Sequence, residues 1–281
     1  MIIGHNLNAI NAIRYLNINQ AHMQKAMLRL SSGKRINSAA DDPAGLMISQ
    51  KMIAQINGLN VSSRNAQDGI SMLQTAEGGL SETESILQRM NELATQAANG
   101  TNSTLDRSSI GNELKQLEAE INHISKSTNF NGINLLYSSG NLTLQIGATS
   151  NSYDSMGINL SSFNTGTSLA NITDGTSINI DTSDNARASM SIIQNAINSV
   201  SSSRSIVGAY QNRLNYTIDN LNTEAENLTA AESRITDADM ASEILEYSKY
   251  SILSQVTQAM LSQSLHEPDQ VLKLLDSLKK S

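Results

Sequence analysis

The sequence predicts a mainly α-helical fold: an elongated antiparallel helical bundle of coiled-coil type, with a small β-hairpin insert and paired terminal helices. Three observations carry that expectation. Apolar residues recur every seven positions through Leu59, Ala66, Leu73, Leu80, Leu87 and Ala94. A second run, Ile193, Val200, Val207, Leu214, Leu221 and Leu228, keeps the same period over a similar length. Between them, about 133–184 is rich in Ser, Thr, Asn and Gly and shows only short alternations. Two heptad seams joined by such an insert bury each other best as antiparallel partners.

The first seam belongs to a stretch from Asp42 to Ala98, with Ala76, Thr83, Met90 and Ala97 three positions further on. Arg64, Gln67, Asp68, Gln74, Glu82, Gln88 and Asn91 fall opposite, so one stripe needs cover while the rest can face water. As one helix it would run to roughly 85 Å. Asp41 and Asp42 could suggest acid-base or metal chemistry. A carboxylate before Pro43 is better read as an N-cap followed by proline at the first helical position. Asn99-Gly100 stops the helix. Glu77-Gly78-Gly79 lies inside it and reads as a spot for close packing rather than a phosphate cradle. A second helix is expected over about 106–127, from Ile110, Leu114, Leu117, Ile121 and Ile124, with Asn131-Gly132 closing it. In the insert, Leu142 to Ile146 and Ser177 to Ile180 alternate as short strands.

The two ends complement each other. Residues 1–40 carry Arg14, Lys25, Arg29, Lys34 and Arg35 without any acid, and Ile2, Ala9, Leu16, Met23 and Leu30 recur every seven. A basic membrane-surface helix or a transit peptide would share that charge, but the heptad phase favours a packing seam. Residues 237–281 are net acidic, and Leu245, Ile252, Val256, Ala259 and Met260 share one helical side until Pro268 breaks the helix. With breaks at Ser31-Ser32-Gly33 and Thr236–Asp239, the element order reads as a palindrome. Residues 1–40 with 237–281 form one expected domain, and 41–236, including the insert, the other.

Composition narrows the function. A net charge of -7 and no interleaved basic and aromatic surface argue against nucleic-acid binding. Without cysteine there is no disulfide, thiolate metal site or Cys nucleophile. No apolar run is long enough to span a bilayer, and no cleavable signal is visible at the N-terminus. His5, His22, His123 and His266 lack ligand-like spacing, and no His-Glu-x-x-His, phosphate-loop or nucleophile-elbow motif occurs. Met47, Met52, Met72 and Met90 read as core filling. No catalytic residue, cofactor or metal is expected.

Three stretches then point to a family. They are Leu30-Ser-Ser-Gly-Lys-Arg-Ile-Asn-Ser-Ala-Ala-Asp-Asp-Pro-Ala-Gly-Leu46, Asn227-Leu-Thr-Ala-Ala-Glu-Ser-Arg-Ile235 and Gln258-Ala-Met-Leu261. With them the chain resembles bacterial flagellin over about 1–135 and 186–275. The resemblance implies a secreted, extracellular filament subunit for motility, exported through the flagellar type III channel without a cleaved signal. Its terminal segments would be disordered in the monomer and fold on assembly into the inner core, through Ile2, Leu16, Met23, Leu30, Leu245, Ile252, Val256 and Met260. The next shell would be the long helices, whose seam is Leu59, Leu73, Leu80, Leu87, Val200, Val207, Leu214, Leu221 and Leu228. The insert would face outward, too short for large outer domains.

Implied partners are further copies of the chain, an export chaperone, and junction and cap proteins, with no nucleic acid and no membrane insertion. Arg89, Leu93 and Glu113 match the pattern through which flagellins engage the vertebrate flagellin receptor, while Asn91 stands where a basic residue is common. The plainer reading of that face is subunit packing. Residues Asp276 to Ser281 continue past the usual flagellin end. A junction or cap protein and a coiled-coil adhesin are the rival readings.

Overall fold

A computed structural model describes residues 6–169, 172 and 178–279; Ile2 and Ser177 lie outside them. The chain forms α1 (Leu7–Ser32), α2 (Pro43–Ala97), α3 (Thr104–Ser127), β1 (Asn129–Phe130), β2 (Ile133–Asn134), β3 (Asn141–Gln145), β4 (Ser155–Asn159), α4 (Ser183–Thr236) and α5 (Met240–Lys279). It divides into two compact units, Met1–Ala54 with Asn227–Ser281, and Gln55–Glu226. Helices α2 and α4 each run through a division point, so the breaks near residues 33–42 and 236–239 fall inside the first unit.

In the second unit α2 and α4 run antiparallel, as the seams predict. Leu59, Leu73, Leu80 and Leu87 on α2 and Val200, Val207, Leu214 and Leu221 on α4 are all buried. Leu228 belongs to the first unit and is half-buried. Each buried Leu contributes about 1.5–3 kcal/mol. Polar pairs fix the register along this seam. Arg204 of α4 reaches Glu84 at 2.6 Å and Glu77 at 3.7 Å, two carboxylates one heptad apart on α2. Gln211 Nε2 donates to Glu77 at 3.0 Å.

Helix α3 returns along α2. Ser103 and Asp106 form a reciprocal capping box at its start, and Arg107 closes the end of α2 by donating to the Ala97 and Asn99 carbonyls. Its buried stripe is Ile110, Leu114, Glu118, Ile121 and Ser125. That stripe departs from the predicted one, since Leu117 and Ile124 are only half-buried while Glu118 is buried.

The insert differs from expectation in two places. Asn131-Gly132 does more than end a helix: it is the turn of the β1–β2 hairpin, with φ 50° and 81°, as a two-residue loop of this type requires. β3 pairs antiparallel with β4, Leu142 opposite Ile158 and Leu144 opposite Met156. Residues 178–180 form no strand. The Asn179 backbone bonds the Ser189 hydroxyl through both its N–H and its C=O, which occupies the groups a ladder would need. Gly79 is a seat for this region, because a Cβ there would stand 2.8 Å from Leu136 Cδ1 and Thr128 Oγ1.

In the first unit α1 and α5 pack antiparallel. Gly33, at φ 70°, ends α1 and its N–H donates to the Arg29 carbonyl at 2.8 Å. The chain then runs beside the α4–α5 junction: the backbones of Lys34 and Asp237 form an isolated antiparallel β-bridge, and the Ala238 N–H donates to the Gly33 carbonyl at 2.9 Å. Asp42 caps α2 through the Gly45 N–H at 2.9 Å, with Pro43 the first helical residue. Asp239 caps α5 through the Ala241 N–H.

Pro268 does not break the last helix; α5 continues to Lys279. Proline supplies no N–H for the carbonyl four residues back, that of Ser264. Another donor meets it instead: Asn6 Nδ2, at 2.7 Å.

Candidate assembly surface

The contact between α1 and α5 is narrow because small side chains make it. Ala9 and Ala26 are buried on α1, as is Asn19, whose carboxamide donates to the Thr257 hydroxyl at 3.1 Å. Leu16, Met23 and Leu30, the larger members of the predicted seam, are half-buried. His22 stacks on Tyr250 with ring centroids 4.6 Å apart. Charge sets the end nearest the breaks. Arg29 pairs with Glu243 at 3.0 Å, and Lys25 with Asp41 at 2.8 Å. The Lys25 ammonium, foremost, and the N–H groups of Asn37 and Ser38 hold the Asp41 carboxyl well below the usual carboxylate range.

Much apolar surface is left without cover. Leu245 is 71 % exposed, Met260 65 %, Ile252 59 % and Val256 49 %, so the α5 residues predicted for filament-core packing stand largely open in one copy. Leu7, Ile10, Ile13, Tyr15 and Ile18 are exposed on α1. Between the helices lies a groove of about 610 Å³, lined by Tyr15, Leu253 and Met260 with Asn8, Asn19 and Thr257 at its polar positions. A soluble monomer rarely leaves so many large apolar side chains together, and such a patch marks an interaction surface.

The receptor-pattern residues separate. Arg89 is exposed and bonds Glu113 and Glu92, each at 3.0 Å. These carboxylates, Glu113 foremost, hold the guanidinium still more firmly protonated. Leu93, by contrast, is 2 % exposed and lies in the core, so it presents no surface beside Arg89. The reason is the width of the buried stripe: Ile86, Met90, Leu93 and Ala97 form a second row beside Leu87 and Ala94, because α2 has both α3 and α4 to cover.

One feature escaped sequence reasoning and a second was only half visible to it. The Asn6–Ser264 contact spans 258 positions and leaves no periodic mark. The Arg204 fork was partly legible, since Glu77 and Glu84 stand seven apart. Among the described residues no helix is long and apolar enough to cross a membrane.

The bacterial flagellin N-terminal helical region matches residues 3–141, and the bacterial flagellin C-terminal helical region matches residues 190–275. The chain belongs to the bacterial flagellin family. A flagellin of Halalkalibacterium halodurans is 49% identical over 279 residues, spanning 98% of this chain and 100% of that one. The flagellin of Bacillus subtilis is 45% identical over 305 residues, again 98% and 100%. A putative flagellar hook-associated protein from Vibrio parahaemolyticus shares the fold at 16% identity, with a TM-score of 0.57 over 70% of this chain and 100% of that chain. As a flagellin, the chain is a structural subunit of the flagellar filament, which is extracellular. The full-length match to flagellins favours neither the junction or cap reading nor the adhesin reading.

Proposed function

We propose that this flagellin polymerises through its terminal helices, and that neighbouring copies cover what α1 and α5 leave bare. The observation that carries the reading is the exposed row Leu245, Ile252, Val256 and Met260. Removing one large apolar side chain from water contributes about 1.5–3 kcal/mol, so every position that a neighbouring copy covers adds to the driving force for assembly. Leu16, Met23 and Leu30 join this inner packing, and residues 1–40 with 237–281 act as the assembly domain. The bundle at 41–236 carries stiffness through its Leu and Val seam. Repetition of a head-to-tail contact that does not close on itself yields an open helical filament.

The same apolar α5 face suits an export chaperone before assembly, and a chain without cysteine passes an export channel free of disulfides. Junction and cap proteins would meet the two ends of the polymer. At the exposed Arg89–Glu113 pair, the vertebrate flagellin receptor would find a polar contact, with Leu93 acting only from beneath.

Deletion of residues 1–35 or 240–281 tests the assignment. Sedimentation should find neither truncation in polymer under conditions that assemble the full chain. Normal assembly of either one would overturn it.

A further inference from the structure

Pro268 lies inside α5, and the carbonyl it strands, that of Ser264, is met by a residue at the far end of the sequence. Asn6 is the N-cap of α1, and both ends of its carboxamide are engaged. Oδ1 accepts the Ala9 N–H at 3.0 Å, which caps α1, and the Ser264 hydroxyl at 3.2 Å. Nδ2 donates to the Ser264 carbonyl at 2.7 Å. The donor that a residue other than proline would supply from within the helix comes instead from the partner helix. We propose that Asn6 is a splint: it completes α5 across Pro268, so that the first turn of α1 and the part of α5 beyond Ser264 order together.

The chemistry singles out Asn at this position. Asp or Ser would cap α1 as well, so capping alone does not require a carboxamide. An ionised Asp keeps both the Ala9 N–H and the Ser264 hydroxyl but offers no N–H to the Ser264 carbonyl. The carbonyl would then lose its donor in a half-buried site, where an unmet polar group is costly. The coupling is reciprocal. Whatever orders α1 at Asn6 favours the continuation of α5, and the reverse holds equally.

The splint is separable from assembly, since it concerns two helices of one chain. The test compares full-length N6D, N6A, P268A and N6D/P268A with the parent, by amide hydrogen exchange of residues 7–12 and 269–279 in pelleted polymer and in the soluble chain. With N6D, residues 7–12 should keep their protection while 269–279 exchange about fivefold faster, the loss of one net hydrogen bond. N6A should loosen both segments. In the P268A background, where the substituted position regains a backbone N–H and so an internal donor, N6D should leave 269–279 unchanged. The proposal is overturned if N6D leaves 269–279 as protected as in the parent, or if its effect is equal with and without Pro268. Failure of the parent to pellet would count against assembly through the ends, and the ratio of exchange rates in the soluble chain would still decide the splint. Absence of protection in both segments of the parent in every state would overturn it as well.

Discussion

Arg204 on α4 holds Glu84 on α2 at 2.6 Å, and Glu77, one heptad earlier, lies 3.7 Å from the same guanidinium. A single cation thus sits between two equivalent rungs of the opposite helix. Its Nε is buried without a partner, so the guanidinium is not fully satisfied. The contact fixes register more than it adds stability, because Arg204 is about a third exposed and solvent screens the pair.

R204M therefore costs about 1 kcal/mol, with Glu84 left partly buried and unpaired. Thermal unfolding followed by circular dichroism should show a decrease in Tm of roughly 2–4 °C for a chain of this size. A loss of more than about 10 °C would mean that the fork carries packing not visible in its contacts.

Gly78 and Gly79 are neighbours with opposite expectations. Nothing stands within 4 Å of a Cβ at Gly78, whereas one at Gly79 meets Leu136 and Thr128 at 2.8 Å. G78A should stabilise by about 0.5–1 kcal/mol through helix propensity. G79V should cost about 1–3 kcal/mol by overpacking a filled core. Denaturant midpoints of the two variants check the contrast, and equal shifts would contradict it.

Two carboxylates give pH dependences of opposite sign. The Asp41 carboxyl is held below its unfolded value, chiefly by Lys25. Its contribution is complete above an unfolded pKa of about 4 and disappears as pH falls through the lower folded value. D41N should flatten the acid side of the stability profile, measured as helicity between about pH 5 and 2.

Burial raises the Glu118 pKa, only partly offset by Lys115. Stability from this group is present below the unfolded value of about 4.3 and is lost as pH rises through the folded one. E118Q should therefore stabilise the chain at neutral pH and leave its stability unchanged in acid. A neutral-pH loss in chemical denaturation would show that the ionised form has a partner.

The seams were legible because a seven-residue period survives any detail of packing: Leu73, Leu80, Leu87, Val207 and Leu214 are all in the core. The Asp42-Pro43 start was legible because its chemistry is local, within three residues. Contacts made at long range were not. Pro268 reads as a helix stop by every local rule, whereas α5 continues past it and the Ser264 carbonyl meets Asn6, 258 positions away. Leu93 reads as surface when α2 is given one partner, and becomes core once α3 supplies a second. Glu118 is buried where Leu117 had the better hydropathy, and Asn179 gives its backbone to Ser189 where alternation suggested a strand. On α5, periodicity identified Leu245, Ile252, Val256 and Met260 as a stripe, and the resemblance to flagellin implied that further copies cover it; how far each position stands open in one copy is read from the structure.

The central claim is that this bare stripe drives assembly, and a charge placed on it is the most direct probe. Full-length I252D/M260D alters two exposed positions in the first unit, so the thermal unfolding of the second unit should be unchanged. Sedimentation across a concentration series should then find the variant in the supernatant at concentrations where the parent pellets as filament. Filaments formed by the variant at the parent's critical concentration would contradict the account.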